Sequence, residues 1–262
     1  MDASQVERLP LSVVVATLDE AANIGDCLRS VVGLAAEIVV LDSGSQDDTC
    51  LLARRAGARV EVALDWRGFG IQKNRALALA REPWVLSLDA DERVTPELAE
   101  AIRQAITSAA QSGYSGFELP RLSQFCGHWI HHSGWYPDLV LRLFLKSKAR
   151  FSEDLVHERV ILDGPRGRLH TPLLHYSYTS RAEVDEKVER YGRAGAAQLH
   201  ARGKTCSAAA PWLRGGWAWL RTMLIKRGLL DGRAGWQIAS MNARTTYLKY
   251  ALLRRMRGQP QA

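Results

Sequence analysis

Val85-Leu86-Ser87-Leu88-Asp89-Ala90-Asp91-Glu92 joins an apolar run, long enough for one buried strand, to three acids within four positions. Runs of this kind suit parallel strands covered on both faces. In open α/β sheets, ligands bind just beyond the carboxyl ends of the strands. Asp89 and Asp91 are two positions apart, so an extended chain places both carboxylates on one side. Two adjacent carboxylates repel unless a cation lies between them. A divalent ion that also holds phosphate oxygens meets that need, since Mg²⁺ and Mn²⁺ prefer oxygen ligands. The alternative is a surface turn whose acids cap the next helix.

The flanking sequence repeats the pattern. Residues 11–17 (LSVVVAT) read as a buried strand ending in the polar loop Thr17-Leu18-Asp19-Glu20. A helix follows with Ile24, Leu28, Val31 and Val32 on one face. Residues 37–42 (EIVVLD) form a second strand ending in Asp42, with Ser43-Gly44-Ser45 as a turn. Asp47 and Asp48 stand at the start of the next helix, where acids favour the positive end of the dipole. Residues 60–64 are a weak third strand and 71–81 a helix. Pro96 opens another helix at its first turn, with Leu98, Ile102 and Ile106 as its stripe. This β-α alternation predicts a doubly wound, mostly parallel sheet. Thr17 to Glu20, Asp42 to Ser45 and Asp89 to Asp91 then converge on one edge as a nucleotide-type crevice. There is no Gly-x-Gly-x-x-Gly and no Gly-x-x-x-x-Gly-Lys-Ser/Thr loop. Phosphates must be neutralised another way, by a metal on Asp91 with Lys73 or Arg67.

The stretches VVVATLDEAANIGDCLRSV, EIVVLDSGSQDDT, GFGIQKNRALALA and VLSLDADERV, in this order, closely resemble glycosyltransferase family 2, the inverting transferases of the GT-A fold. The resemblance implies that Thr17, Glu20 and Asp42 hold the base and ribose of a nucleotide sugar. It implies that Asp91 ligates Mg²⁺ or Mn²⁺, with Asp89 nearer the ribose and sharing the metal motif. Lys73 matches a basic position close to the nucleotide. Asp19 departs from the asparagine that many relatives carry. Read without the resemblance, Glu20 is a helix N-terminal acid, Asp42 closes an Asx-turn, and Lys73 is a solvated helix lysine.

In the second half, residues 116–121 and 139–145 read as strands. Between them, residues 125–137 (FCGHWIHHSGWYP) are aromatic, histidine-rich and broken by glycines. No zinc spacing fits these histidines. Rings with polar edges suit sugars, so the loop, Trp135 included, is expected to contact an acceptor. Residues 153–158 contain three acids and a histidine. An inverting transferase needs a carboxylate to take the acceptor hydroxyl's proton. Glu158 and Asp154 are the candidates, with Glu158 preferred, and His157 orients the acceptor or the metal. Val-His-Glu after an Arg-Leu-Phe strand, together with GLLDGRAGWQIA, resembles the lipopolysaccharide-core β-1,4-glucosyltransferase subgroup. That resemblance implies UDP-glucose as donor and an inner-core heptose as acceptor.

Residues 173–178 lead into a polar helix over 181–198 with Val184, Val188 and Tyr191 on one face. Helices over 212–230 and 236–256 follow. The net charge is +7. From Pro211 onward, ten Lys or Arg face one Asp, a balance of +9, so residues 1–210 carry −2. This C-terminal region also holds four of the eight tryptophans. Trp and Leu interleaved with Arg and Lys read as interfacial helices on an anionic membrane, in preference to a nucleic-acid surface. The four scattered cysteines have no metal spacing and point to a reducing compartment, with Cys27 and Cys50 as small buried hydrophobes. No signal segment and no apolar run of spanning length is seen.

The organisation expected is a GT-A catalytic domain over 1–178, with a nucleotide-sugar half (1–120) and an acceptor and base half (121–178). A helical, basic, membrane-associating region covers 179–262. The enzyme is expected in the cytoplasm, peripheral on the inner face of a bacterial inner membrane, acting on a nucleotide-sugar donor and a glycolipid acceptor. A polyprenyl-phosphate sugar synthase and a non-catalytic sugar-nucleotide binder remain as alternatives.

Overall fold

The computed structural model describes residues 8–153 and 158–256. Four apolar runs form β1 (Leu9–Thr17), β2 (Ala35–Asp42), β3 (Arg59–Val62) and β4 (Trp84–Leu88). They are joined by α1 (Ile24–Arg29), α2 (Thr49–Arg55) and α3 (Phe69–Leu79). These strands pair in parallel in the order β3-β2-β1-β4. The run of valines in β1 explains why both faces are covered. Val13 and Val15 join one core with Ile24 and Leu28 of α1, whereas Val14 joins a second core with Ala76 and Leu77 of α3. Alternate side chains thus feed two helical layers. This is the expected doubly wound arrangement.

β5 (Glu92–Arg93) precedes α4 (Pro96–Ser112). The Thr95 hydroxyl accepts the Leu98 N–H at 3.2 Å, Pro96 sits in the first turn, and Gly113 ends the helix at φ 70°. Leu98, Ile102 and Ile106 are buried as the stripe requires. The sheet then changes sense. β6 (Gly116–Phe125) pairs antiparallel with β8 (Asp138–Leu145), and β8 pairs antiparallel with β4. Between β6 and β8 lies the two-residue β7 (His128–Trp129). β9 (Ala149–Phe151) forms a separate antiparallel pair with β10 (Val160–Leu162). β11 (Arg166–Arg168) pairs with β6, and β12 (Leu173–Tyr178) with β5.

The chain divides into two compact units, 1–121 with 138–175, and 122–137 with 176–262. In the second, α5 (Arg181–Ala201) and α7 (Gly232–Arg255) close over a core of Phe125, Ile130, Val184, Val188 and Ile238, and α6 (Ala210–Leu220) packs against α7. Asp231, just before α7, gathers the loop after β7. Its carboxylate accepts the backbone N–H groups of His131 and His132 at 3.1 Å and the Ser133 hydroxyl at 2.6 Å.

Several local expectations are corrected. α1 stops at Arg29, and the turn that follows buries Val31 but exposes Val32. β3 ends at Val62, leaving Leu64 exposed. Tyr191 points to solvent. Gly192 takes the buried position instead, where a Cβ would stand 2.7 Å from the Leu248 side chain. The helix expected over 212–230 breaks into α6, a π-helical turn over 221–225 and a 3₁₀ turn over 228–231. Gly228 is pressed against the carbonyl of Thr222, and Arg227 adopts φ 55°, which no continuous helix allows.

Gly70, in the first turn of α3, brings the backbone after β9 into contact. A Cβ there would lie 1.9 Å from the Ser152 carbonyl oxygen. Asn74, one turn on, accepts the Phe151 N–H at 2.8 Å and donates to its carbonyl at 2.9 Å. Gly70→Ala is therefore expected to lower stability by about 1–3 kcal/mol, the usual cost of overpacking, read as a fall in the denaturation midpoint. An unchanged midpoint would mean that this close approach does not hold in solution.

Candidate functional site

The strand order reverses at β1: the chain proceeds outward to β2 and β3, then returns to add β4 on β1's other side. Loops leaving β1 and β4 therefore diverge and open a crevice. Register places Thr17 beside Asp42 and Val15 beside Leu88, so all three acidic strand ends meet there, as expected. The crevice loops are tied to each other. Ser43 N–H donates to the Thr17 carbonyl at 2.9 Å, Asp19 N–H to the Ser45 hydroxyl at 2.8 Å, and Glu20 N–H to the Thr49 hydroxyl at 2.8 Å. Asp19 makes this possible by adopting φ 53°, and its carboxylate accepts the Gln46 N–H at 2.7 Å.

Asp42 is buried, and its Oδ1 accepts the N–H groups of Gly44 and Ser45 at 2.9 and 2.8 Å. It thus closes the Asx-turn and shapes the loop. Thr17 Oγ1 is buried with no hydrogen-bond partner among the described residues. A buried hydroxyl without a partner at the end of β1 suits a bound ligand. Burial pushes the Glu20 carboxyl up. A hydrogen bond from Asn23 partly offsets this, while nearby Asp91, Asp47 and Asp89 add to it.

The acids after β4 do not lie on one side. The chain turns there, with Glu92 N–H donating to the Asp89 carbonyl at 3.0 Å and Glu92 Oε2 accepting the Asp89 N–H at 3.0 Å. The turn directs the carboxylates to different partners. Asp89 Oδ1 meets Lys73 Nζ at 2.9 Å, and Asp89 Oδ2 meets the Arg142 guanidinium of β8. Arg142 also reaches Glu92 Oε1 at 2.7 Å, and Arg121 reaches the same oxygen at 3.3 Å. Lys73 completes the chain with Glu158 Oε1 at 2.9 Å. Burial alone would raise the Asp89 carboxyl, but Arg142 and Lys73 override it and hold the group well below the usual carboxylate range. Asp89 and Glu92 hold the Arg142 guanidinium protonated against its own burial.

Asp91 Oδ2 lies 3.2 Å from His175 Nε2 of β12. The Asp91 carboxylate is the oxygen ligand that Mg²⁺ or Mn²⁺ prefers, and the His175 imidazole would stand beside a cation held there. No group of three or more candidate metal ligands exists among the described residues. A cation there would take its other ligands from a phosphate-bearing substrate or water. Both Asp89 oxygens face cations, so a cation bound here would fall to Asp91, beside His175.

Of the other candidates, Lys73 is a buried member of the ionic chain, not a solvated lysine. Arg67 turns outward to Asp65 at 3.2 Å. Trp135 is half-buried in the second unit, its ring centroid 5.7 Å from Phe125 and 5.6 Å from Tyr178. Asp154 and His157 lie outside the described residues. Arg142, Glu92, Arg121 and His175 were not anticipated. The signal for Arg142 was present: a single arginine inside the apolar run Asp138–Leu145 has to meet a buried acid. All four cysteines are free; Cys27 is buried, its thiol pushed up to about 12, and Cys50 is half-buried.

Residues 12–146 match the family profile described as Glycosyl transferase family 2. Lipopolysaccharide core biosynthesis glycosyltransferase LpsC of Rhizobium meliloti is 32% identical over 210 residues, spanning 76% of this chain and 75% of that one. An uncharacterised glycosyltransferase of Rickettsia prowazekii is 28% identical over 253 residues, 93% of this chain and 86% of that one. Among solved structures, mannosyltransferase PcManGT of Pyrobaculum calidifontis, in complex with GDP-Man and Mn²⁺, aligns with a TM-score of 0.54. It is 15% identical, over 97% of this chain and 89% of that one. That likeness concerns the fold, which is GT-A.

Removing one member of a buried ion pair leaves the other uncompensated. Arg142→Met is expected to cost about 3–5 kcal/mol, and Arg142→Met with Glu92→Gln less, in urea denaturation. If the single variant unfolds at the wild-type midpoint, the buried pair does not exist. Because the folded Asp89 pKa lies below its unfolded value, its stabilising contribution is complete above about 3.8. It is lost as pH falls from there through the lower folded value. Asp89→Asn should flatten the acid limb of the stability–pH curve over that window.

Proposed function

The chain belongs to glycosyl transferase family 2, and on that premise we propose that it transfers glucose from UDP-glucose, with inversion, to a heptose of the lipopolysaccharide inner core. One observation carries the reading: Lys73, Asp89 and Glu158 form a continuous chain of 2.9 Å contacts on the wall of a cavity of about 480 Å³ in the first unit. Glu158 would serve as the nucleophile-activating carboxylate and Lys73 as the cation for the leaving group. The 32% identity to a lipopolysaccharide core transferase supports the acceptor class.

In this mechanism the loops after β1 and β2 hold the nucleoside, with Glu20, the Asp42-shaped turn and the Thr17 hydroxyl as contacts. Asp91 and His175 would hold Mg²⁺ or Mn²⁺, which when bound supplies positive charge against the diphosphate. Asp89 keeps Lys73 in place, and Lys73 offers its charge to the departing diphosphate. Glu158, beside Lys73, takes the proton from the acceptor hydroxyl. The hydroxyl oxygen bonds to the anomeric carbon as the bond to the diphosphate oxygen breaks. UDP leaves with the electron pair, through an oxocarbenium-like transition state. Asp154 is the alternative base.

The second unit supports a membrane-bound acceptor. Trp212, Leu213 and Trp217 of α6, Leu224 and Ile225 of the π turn, and Trp236 of α7 are all exposed, with Trp212 at 71%. Arg214, Arg221, Lys226 and Arg227 are interleaved with them. No helix among the described residues is long and apolar enough to cross a membrane. Aromatic and aliphatic side chains amid cations suit the cytoplasmic face of a bacterial inner membrane, where anionic headgroups meet acyl chains.

The reading is tested with purified core acceptor and a panel of UDP-, GDP-, ADP- and dTDP-sugars, with Mg²⁺ or EDTA. Metal-dependent transfer from UDP-glucose, abolished in Asp91→Ala and strongly reduced in His175→Ala, is expected. Glu158→Gln should lower kcat by about 10²–10⁴. A comparable loss in Asp154→Asn, with Glu158→Gln near wild type, moves the base to Asp154. Label entering extracted lipid phosphate without core acceptor would replace this reading with polyprenyl-phosphate sugar synthesis. In vesicle co-sedimentation, wild type is expected to bind phosphatidylglycerol-containing vesicles, with binding lost in Trp212→Ser/Leu213→Ser. Equal binding by both proteins would rule out this face.

A further inference from the structure

The cavity beside Glu158 is rich in cations. Lys73, Arg121, Arg142, Arg159 and Arg166 all line it. Three carboxylates, Asp89, Glu118 and Glu158, share the same walls. Lys73 is matched by Asp89 and Glu158, and Arg142 by Asp89 and Glu92. Arg121 is matched by Asp138 at 2.6 Å and Glu92 at 3.3 Å. The remaining two guanidiniums are under-compensated. Arg166 divides Glu118 with Arg168, at 3.1 and 3.5 Å. Arg159 is exposed, and its side chain makes no ion pair or hydrogen bond among the described residues. A further donor is unused: Arg142 Nε is buried without a partner among the described residues.

A neutral sugar offers a guanidinium only uncharged hydroxyl acceptors, whereas a phosphate or carboxylate accepts two parallel N–H bonds from its planar fork. Arg159 follows Glu158 directly, and Arg166 lies in β11 on the edge of β6. Neither belongs to the loops after β1 and β2 that close around the nucleoside. The excess charge therefore lines the same cavity as Glu158, which the acceptor's hydroxyl must reach. Building on the proposed transfer reaction, we infer that the acceptor is an anionic glycan. A phosphate or carboxylate next to the accepting sugar is held by Arg159 and Arg166, which select that acceptor over its neutral counterpart.

The test uses the full chain, with core oligosaccharide acceptor before and after phosphatase treatment, and with acceptor carboxyls intact or reduced. Wild type should show a KM about tenfold or more lower for the acceptor that keeps its anionic group, in line with charge-assisted hydrogen bonds. Whichever treatment removes the preference names the group. Arg159→Gln and Arg166→Gln should each raise KM for the anionic acceptor by about the same factor and narrow the gap, with the donor KM within twofold of wild type. Inorganic phosphate should compete with the acceptor in wild type and raise its melting temperature, and should do neither in Arg159→Gln. Equal KM values for charged and neutral acceptors overturn the inference. So does a rise in donor KM in the two variants, which would assign these arginines to the nucleotide diphosphate. If no sugar nucleotide is consumed at all, the transferase reading fails. The phosphate-induced melting shift then decides separately whether an anion site exists.

Discussion

Lys73, Asp89, Arg142 and Glu92 form a largely buried line of alternating charge whose members come from three separate parts of the chain. Lys73 comes from α3, Arg142 from the antiparallel strand β8, and the two acids from the turn after β4. Burying these groups singly would cost several kcal/mol each, so none is tolerable without the next. The consequence is positional. The turn after β4, the register of β8 beside β4 and the rotation of α3 all have to be right together for the charges to meet. The network also fixes the direction of every acid in the motif. Glu92, fully buried, braces the turn through the Asp89 N–H and two guanidiniums. Asp91 is left to face His175.

Around this centre, the crevice loops are held by side chains and not by regular structure. Asp42 and Asp19 spend their carboxylates on the backbone N–H groups of the loop after β2. Ser45 and Thr49 return hydrogen bonds to the loop after β1. Polar residues in these loops therefore satisfy backbone groups that a sheet edge would otherwise leave open. The result is an edge whose shape exists before any substrate arrives, which lowers the ordering cost of binding.

The second unit follows a different logic. Its core is small and aromatic, with Phe125, Trp135 and Tyr178 in mutual ring contact. One aspartate, Asp231, fastens the histidine-rich loop to the start of α7. The π turn and the 3₁₀ turn between α6 and α7 redirect the chain and bring a run of leucines and tryptophans to the surface. Exposed apolar side chains grouped in this way suit the membrane-facing role proposed for them.

The sequence by itself determined the parallel half of the sheet, because uninterrupted valine and leucine runs between amphipathic segments have one economical arrangement. It determined which strand ends are acidic, and so where the crevice lies, since side-chain chemistry at a strand's end is a local property. It marked residues 153–158 as a concentration of acids and the last fifty residues as basic and tryptophan-rich. Tertiary structure alone decided what those acids face. Whether Asp89 and Asp91 point the same way depends on a turn closed by Glu92, and that turn is held by an arginine 50 residues later. His175 reaches Asp91 only because β12 returns to pair with β5. Periodicity reports which face of a helix or strand is buried. It carries no information about which distant charge waits on that face, because that is fixed by register between elements far apart in the chain.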